Sequence, residues 1–164
     1  MGEKACCVTG HRDIPADQVE RVKEGLRREI GLAVKDGYTR FISGFAEGAD
    51  LFFAEIVAGL RKGNPALRLE AMIPYRNRLL KLQKDDYTRE LLAVCTEISV
   101  TSEEYSQNVY MKRNRFMVEM SDRVIAVYDG REKGGTVSTM RFAHVMKKEL
   151  REIPVGDIII PGRA

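Results

Sequence analysis

The sequence predicts an α/β domain, a Rossmann-like three-layer sandwich built around a mostly parallel sheet. Two observations carry this expectation. Short apolar, β-branched runs alternate along the chain with longer amphipathic stretches, the pattern of βα units. Glycine-bearing loops recur directly after several of the apolar runs. Crossovers of this kind return to one sheet with a right hand and lay helices on both of its faces.

The elements follow in order. Lys4 to Thr9 reads as the first strand, and Pro15 suits the first turn of a helix, where a missing N–H costs nothing. Val19, Val22, Leu26, Ile30 and Ala33 or Val34 then recur at helical spacing, and Gly37 is the stop signal. Arg40 to Ser43 is a second strand and Gly48 to Leu60 a second helix. Leu67 to Ile73 is a third strand ending at Pro74, followed by one helix from Asn77 to Val94. Ile98 to Thr101 forms a fourth strand and Asn108 to Met120 a helix, with Met111, Met117 and Met120 as core filling. Asp122 to Tyr128 is the clearest strand, because its continuous apolar run suits an interior position. A last helix runs from Gly134-Gly135-Thr136 to about Leu150, with His144 in a structural role. Ile153 to Ile160 is a final strand, at an edge because of Pro154 and Gly156.

Composition narrows the function. A chain of 164 residues, 44% hydrophobic and 31% charged, fits one domain over residues 1–164 with a real core. The net charge of +3 is spread along the chain, and no DNA-binding module is recognisable, so no nucleic-acid partner is expected. Three cysteines without a CxxC pair and two histidines argue against a disulfide scaffold or a zinc site. Burial explains Cys6 and Cys7 better than thiol chemistry does. No apolar stretch approaches the ~20 residues of a membrane span, and the N-terminus lacks the charged and apolar regions of a signal peptide. A cytoplasmic protein with no membrane partner is the expectation.

Three loops carry the candidate chemistry. In Thr9-Gly10-His11-Arg12-Asp13, Gly10 permits a tight turn or close approach, Thr9 and Arg12 offer donors to a phosphate, and His11 suits a base or sugar. In Ser43-Gly44-Phe45-Ala46-Glu47-Gly48-Ala49-Asp50, two glycines ahead of a helix expose backbone N–H groups. There Ser43 offers a hydroxyl, and Asp50 accepts from one or pins the loop. In Asp129-Gly130-Arg131-Glu132-Lys133-Gly134-Gly135-Thr136, the glycine pair leaves a helix N-terminus bare, with the Thr136 hydroxyl beside it. Each loop also reads as a plain strand-to-helix turn, with Glu47, Asp50 or Thr136 as a cap and Arg12 solvated. Their coincidence at the C-terminal ends of strands outweighs each alone, because open α/β sheets bind ligands there. Tyr75 and Arg76, after the third strand, are further candidates for base and phosphate contact. Arg113, Asn114 and Arg115 sit on a helix as candidates to line the cleft, with a solvated face as the alternative for Arg113. Neither a Walker A sequence nor a G-x-G-x-x-G fingerprint is present.

These motifs resemble, over nearly the whole chain, the YpsA-like family within the SLOG group of Rossmann-like domains. That group also includes the DprA proteins and the LOG, or lysine decarboxylase-like, phosphoribohydrolases. TGHR at Thr9 to Arg12, SGFAEGAD at Ser43 to Asp50, IPY at Ile73 to Tyr75, RNRFMVEMSDRVIAVYDG at Arg113 to Gly130 and GGT at Gly134 to Thr136 occur in the family's order. The resemblance implies a nucleotide-like ligand, such as an ADP-ribose- or NAD-related compound, held at Gly10, Arg12, Ser43, Gly44, Gly48, Asp50, Asp129, Gly130, Gly134, Gly135 and Thr136, in a sensing or regulatory role and with no other cofactor. The chain departs from the LOG signature PGGxGTxxE: Lys133 replaces the proline, and Thr139 stands three residues after Thr136 where the glutamate is expected. That removes the acid/base group and leaves catalysis open. The alternatives are a nucleoside-phosphate N-glycosidic hydrolase using Asp50 or Glu47, and a protein-interaction scaffold or homo-oligomer presenting Tyr105, Tyr110 and Phe116 around a vestigial pocket.

Overall fold

A computed structural model describes residues 2–156 of the chain. Six strands run β1 (Lys4–Gly10), β2 (Tyr38–Ser43), β3 (Arg68–Ile73), β4 (Glu97–Val100), β5 (Arg123–Tyr128) and β6 (Glu149–Pro154). Six helices join them: α1 (Val19–Lys35), α2 (Ala49–Gly63), α3 (Arg76–Lys84), α4 (Asp86–Val94), α5 (Val109–Met120) and α6 (Gly135–Val145). The sheet has the order β4-β3-β2-β1-β5-β6, and every neighbouring pair is parallel. The chain therefore winds outward from β1 to β4, crosses back, and resumes at β5 on the other side of β1. The crevice of such a sheet opens where the winding reverses, above β1 and β5.

Strand alternation divides the core into two layers. Cys6 and Val8 of β1, Phe41 of β2 and Ile125 and Val127 of β5 pack with α1, α2, α3 and α4. Ala5, Cys7, Ile42 and Val124 face α5 and α6 on the other side. Burial raises the thiol pKa of both Cys6 and Cys7, so they are inert core residues. At the N-terminal edge of the sheet, Arg123 Nη2 donates to Asp36 at 2.8 Å and its Nε to Glu149 at 3.1 Å, while its guanidinium covers the Tyr38 ring at 4.6 Å. This ties the end of α1 to β5 and β6.

Four sequence expectations need correction. The single helix over Asn77–Val94 is two helices, because the Asp85 backbone is extended and its carboxylate accepts from the Thr88 N–H, capping a new start. The last helix stops at Val145, where Lys147 adopts a left-handed φ of 58° and turns the chain into β6. The final strand thus lies at Glu149–Pro154, at an edge as expected, and positions 157–160 of the expected strand fall outside the described residues. Met117 is buried, but Met111 and Met120 are exposed, as is His144 on α6.

Candidate functional site

A cleft of about 460 Å³ opens above the C-terminal ends of β1 and β5. The end of β1 supplies Thr9 and Gly10, the loop after it His11, Arg12 and Asp13, and α2 contributes Asp50 from its first turn. Helix α5 adds Tyr110, Arg113 and Asn114, and the far wall is Arg131 with Gly135 and Thr136 at the start of α6.

The floor is a buried charged unit. Arg113 is 3% exposed, and its Nη1 donates to Gly44 O at 2.8 Å and Met72 O at 3.1 Å. Its Nε donates to Asn114 Oδ1 at 2.8 Å. Asp50 accepts from the Ala46 N–H at 3.2 Å, and the two side chains converge on Gly44. A Cβ there would fall 2.6 Å from Arg113 Nη1 and 2.9 Å from Asp50 Oδ2, so only glycine fits. Burial pushes the Asp50 carboxyl up to about 6, against the opposing pull of Arg113 and the Ala46 N–H. Burial likewise lowers the Arg113 pKa, with Asp50 opposing it.

The β1 loop is fixed by His11. Its Nε2 lies 3.1 Å from both the Asp129 backbone N–H and the Asp129 carboxylate. One nitrogen cannot accept from the first and donate to the second in a single protonation state. Burial lowers the imidazole pKa despite the neighbouring Asp129, so the ring is neutral and Nε2 accepts from the backbone. His11 is therefore a structural tie between the β1 and β5 loops.

Arg12 is exposed, its guanidinium 4.9 Å from the Tyr110 ring centroid. Burial opposes ionisation of the Tyr110 phenol, but hydrogen bonds from Tyr75 and Arg12 outweigh it and hold the pKa below its ordinary value. Across the cleft, α6 begins without a side-chain cap. Its first N–H groups have no partner within the helix, and Gly135 and Thr136 line the cleft, so a helix start with free backbone donors borders it.

The sequence candidates separate into three groups. Thr9, Gly10, His11, Arg12, Asp50, Gly135 and Thr136 share the cleft. Ser43, Gly44 and Gly48 lie behind it: the Ser43 hydroxyl donates to Asp50 O and accepts from the Phe45 N–H, and Gly48 packs against the His11 and Arg12 carbonyls. Asp129, Gly130 and Gly134 shape the loop before α6, where Asp129 holds Arg131. Glu47 is exposed outside the cleft lining, Tyr75 packs edge-on against Tyr105 and Tyr110, and Arg76 pairs with Glu103 at the surface. Arg113 is no solvated residue. The signal for it was available: Tyr110, Arg113 and Asn114 stand at i, i+3 and i+4, one polar face of α5. Asp13 and Arg131 carried no comparable signal. Another cavity of about 470 Å³ is lined by Met111, Phe116 and Phe142 together with Lys112, Arg115 and Glu119 of α5, and contains none of the glycine-loop residues.

The YpsA family model, described as the YspA SLOG family, matches residues 6–156. The chain belongs to this family. Its YpsA relatives include UPF0398 proteins of Bacillus thuringiensis (strain Al Hakam) and Bacillus cereus (strain AH187), each 30% identical over 120 residues. Those matches cover 71% of this chain and 65% of each relative, so the chain spans less than two thirds of their length. The X-ray structure of TM1055, a structural-genomics target, shares the fold with a TM-score of 0.57 at 15% identity, over 90% of this chain and 72% of that one. The Chlamydomonas rheinhardtii Moco carrier protein does so with 0.53 at 14% identity, over 92% and 76%. The α/β, Rossmann-like architecture of this YpsA-family chain is thus shared with both. No helix among its described residues is long and apolar enough to cross a membrane.

Proposed function

We propose that the cleft binds the phosphate of a nucleotide or nucleotide-derived ligand, including ADP-ribose- or NAD-related compounds, in a sensing or regulatory role. One observation carries the reading: the uncapped start of α6 opens on the same cleft as the guanidinium groups of Arg12 and Arg113. Backbone donors aimed at an anion, with two cations around them, match a phosphoryl group. Arg113, already spent on two carbonyls, sets the potential of the floor, whereas Arg12 is exposed at the rim and able to move onto a ligand. Isothermal titration with AMP, ADP-ribose and NAD tests this. Binding of at least one, weakened about tenfold by Arg12→Ala, is the expected outcome; absence of heat with all three overturns it.

A second reading rests on Asp50. A buried carboxyl with a pKa of about 6 beside a phosphate site is suited to proton transfer in cleavage of a nucleoside-phosphate N-glycosidic bond. Water would add to the anomeric carbon as the C–N bond to the base breaks, with Asp50 taking the water's proton and solvent protonating the departing base, after which Asp50 returns its proton to solvent. Release of free adenine from AMP, lost in Asp50→Asn while AMP binding persists, supports this reading; no base released by wild-type protein ends it.

A further inference from the structure

The mouth of the cleft carries a contact that neither the glycine loops nor the floor explains. Arg131 stands on the loop between β5 and α6, and Asp13 on the loop after β1, so a bond between them joins two loops that line the cleft. Arg131 Nη2 reaches Asp13 Oδ1 at 3.2 Å and Asp129 Oδ2 at 2.6 Å, and its Nε donates to Asp129 at 3.0 Å. All of these bonds use Nε and Nη2. Among the described residues Arg131 Nη1 makes no hydrogen bond, although Arg131 lines the same cleft as Asp50 and Gly135.

The two carboxylates hold Arg131 differently. Asp129 is 27% exposed, grips the guanidinium through both oxygens, and has its pKa pushed down to about 2, first by Arg131. It is anchored in turn by the bond between its backbone N–H and His11. Asp13 is 73% exposed, and the structure gives it a single bond to Arg131. An exposed, single ion pair of this kind contributes little and is readily exchanged. Asp129 therefore positions Arg131, and Asp13 occupies it.

We propose that Arg131 is a ligand-binding residue of the cleft and that Asp13 is its built-in competitor, so that the site selects dianionic phosphate monoesters over monoanionic diesters. This rests on the phosphate-binding reading of the cleft and narrows it to ligands with a terminal phosphate, such as AMP, because the pyrophosphates of NAD and ADP-ribose carry one charge per phosphorus. Arg131, Asp129 and Asp13 together carry one net negative charge at the mouth. An entering anion has to turn Asp13 out to water before it gains Nη2 of Arg131. A monoester, with close to two negative charges at neutral pH, outcompetes a single carboxylate; a diester brings the same charge as the group it displaces. The Nη1 edge offers the first contact, and Nη2 follows when Asp13 leaves.

The test titrates AMP and 3′,5′-cyclic AMP, which share base and sugar, into wild-type protein, Asp13→Asn, Arg131→Gln and the double variant. Wild-type protein is expected to bind AMP more tightly than cyclic AMP. Asp13→Asn tightens AMP roughly three- to tenfold and narrows the preference, and that gain vanishes in the double variant, as a coupled pair requires. AMP affinity unchanged or weakened in Asp13→Asn overturns the proposal, as does a gain that persists without Arg131 or equal binding of the two nucleotides by wild type. In those cases the phosphate cleft itself stands. Failure of every variant to bind AMP or inorganic phosphate removes both readings together. Asp13 is exposed, so Asp13→Asn folds normally, and its circular dichroism spectrum verifies this.

Discussion

The β2–α2 loop and the β5–α6 loop look alike in sequence, each a glycine pair ahead of a helix, yet they are built for opposite purposes. In the first, Ser43 clamps the chain, Asp50 accepts from Ala46, and Arg113 closes onto the Gly44 carbonyl. Gly44 is there because two side chains fill the space beside it. In the second, a Cβ on Gly135 would meet nothing nearer than Asn114 Nδ2 at 3.9 Å, and the helix start is uncapped. Glycine in the first loop admits protein, and glycine in the second leaves room for something else. A glycine motif thus signals close approach without saying by what.

The largest expected effect breaks the closed loop. Arg113→Ala removes the guanidinium that bridges Gly44 O and Met72 O and leaves Asp50 buried without its countercharge, a loss of about 3–5 kcal/mol. Chemical denaturation reads it directly, and a loss below 1 kcal/mol contradicts the buried unit. Next is the pH dependence of Asp50. Its folded pKa, about 6, lies above the ordinary 3.8, so its contribution to stability is complete below pH 3.8 and is lost as the pH rises through about 6. The full swing is about 3 kcal/mol. Asp50→Asn, neutral throughout, should gain on wild type by about that amount between pH 4 and pH 7; parallel pH profiles for the two proteins would rule out the raised pKa.

Smaller effects sharpen the contrast between the loops. Gly44→Ala sets a methyl against the Arg113 guanidinium and the Asp50 carboxylate and should cost about 2 kcal/mol, visible as a lowered Tm. Gly135→Ala meets open space and should change stability by no more than about 0.5 kcal/mol. Its cost appears in binding instead, as a roughly threefold loss of AMP affinity where a methyl narrows the approach to the helix N–H groups. Were both alanines equally destabilising, the distinction between a filled and an open loop would fail.

Sequence alone determined the layering and the edge at which the loops gather. Strand runs and helical periodicity are local properties, and right-handed crossovers then leave few ways to assemble them. It also marked His11, Arg12, Asp50, Gly135 and Thr136, which do meet in one cleft. What each does there was decided by tertiary structure. His11 is a strap because Asp129, 118 positions away, presents its N–H to the ring. Arg113 is a buried cation because the floor offers it carbonyls of Gly44 and Met72, distant in sequence. Asp13 and Arg131 meet at the cleft although they stand 118 positions apart. Polar side chains have donors and acceptors legible from sequence, but their partners come from long-range contacts, and the partners fix whether a group holds the fold together or stays available to a ligand.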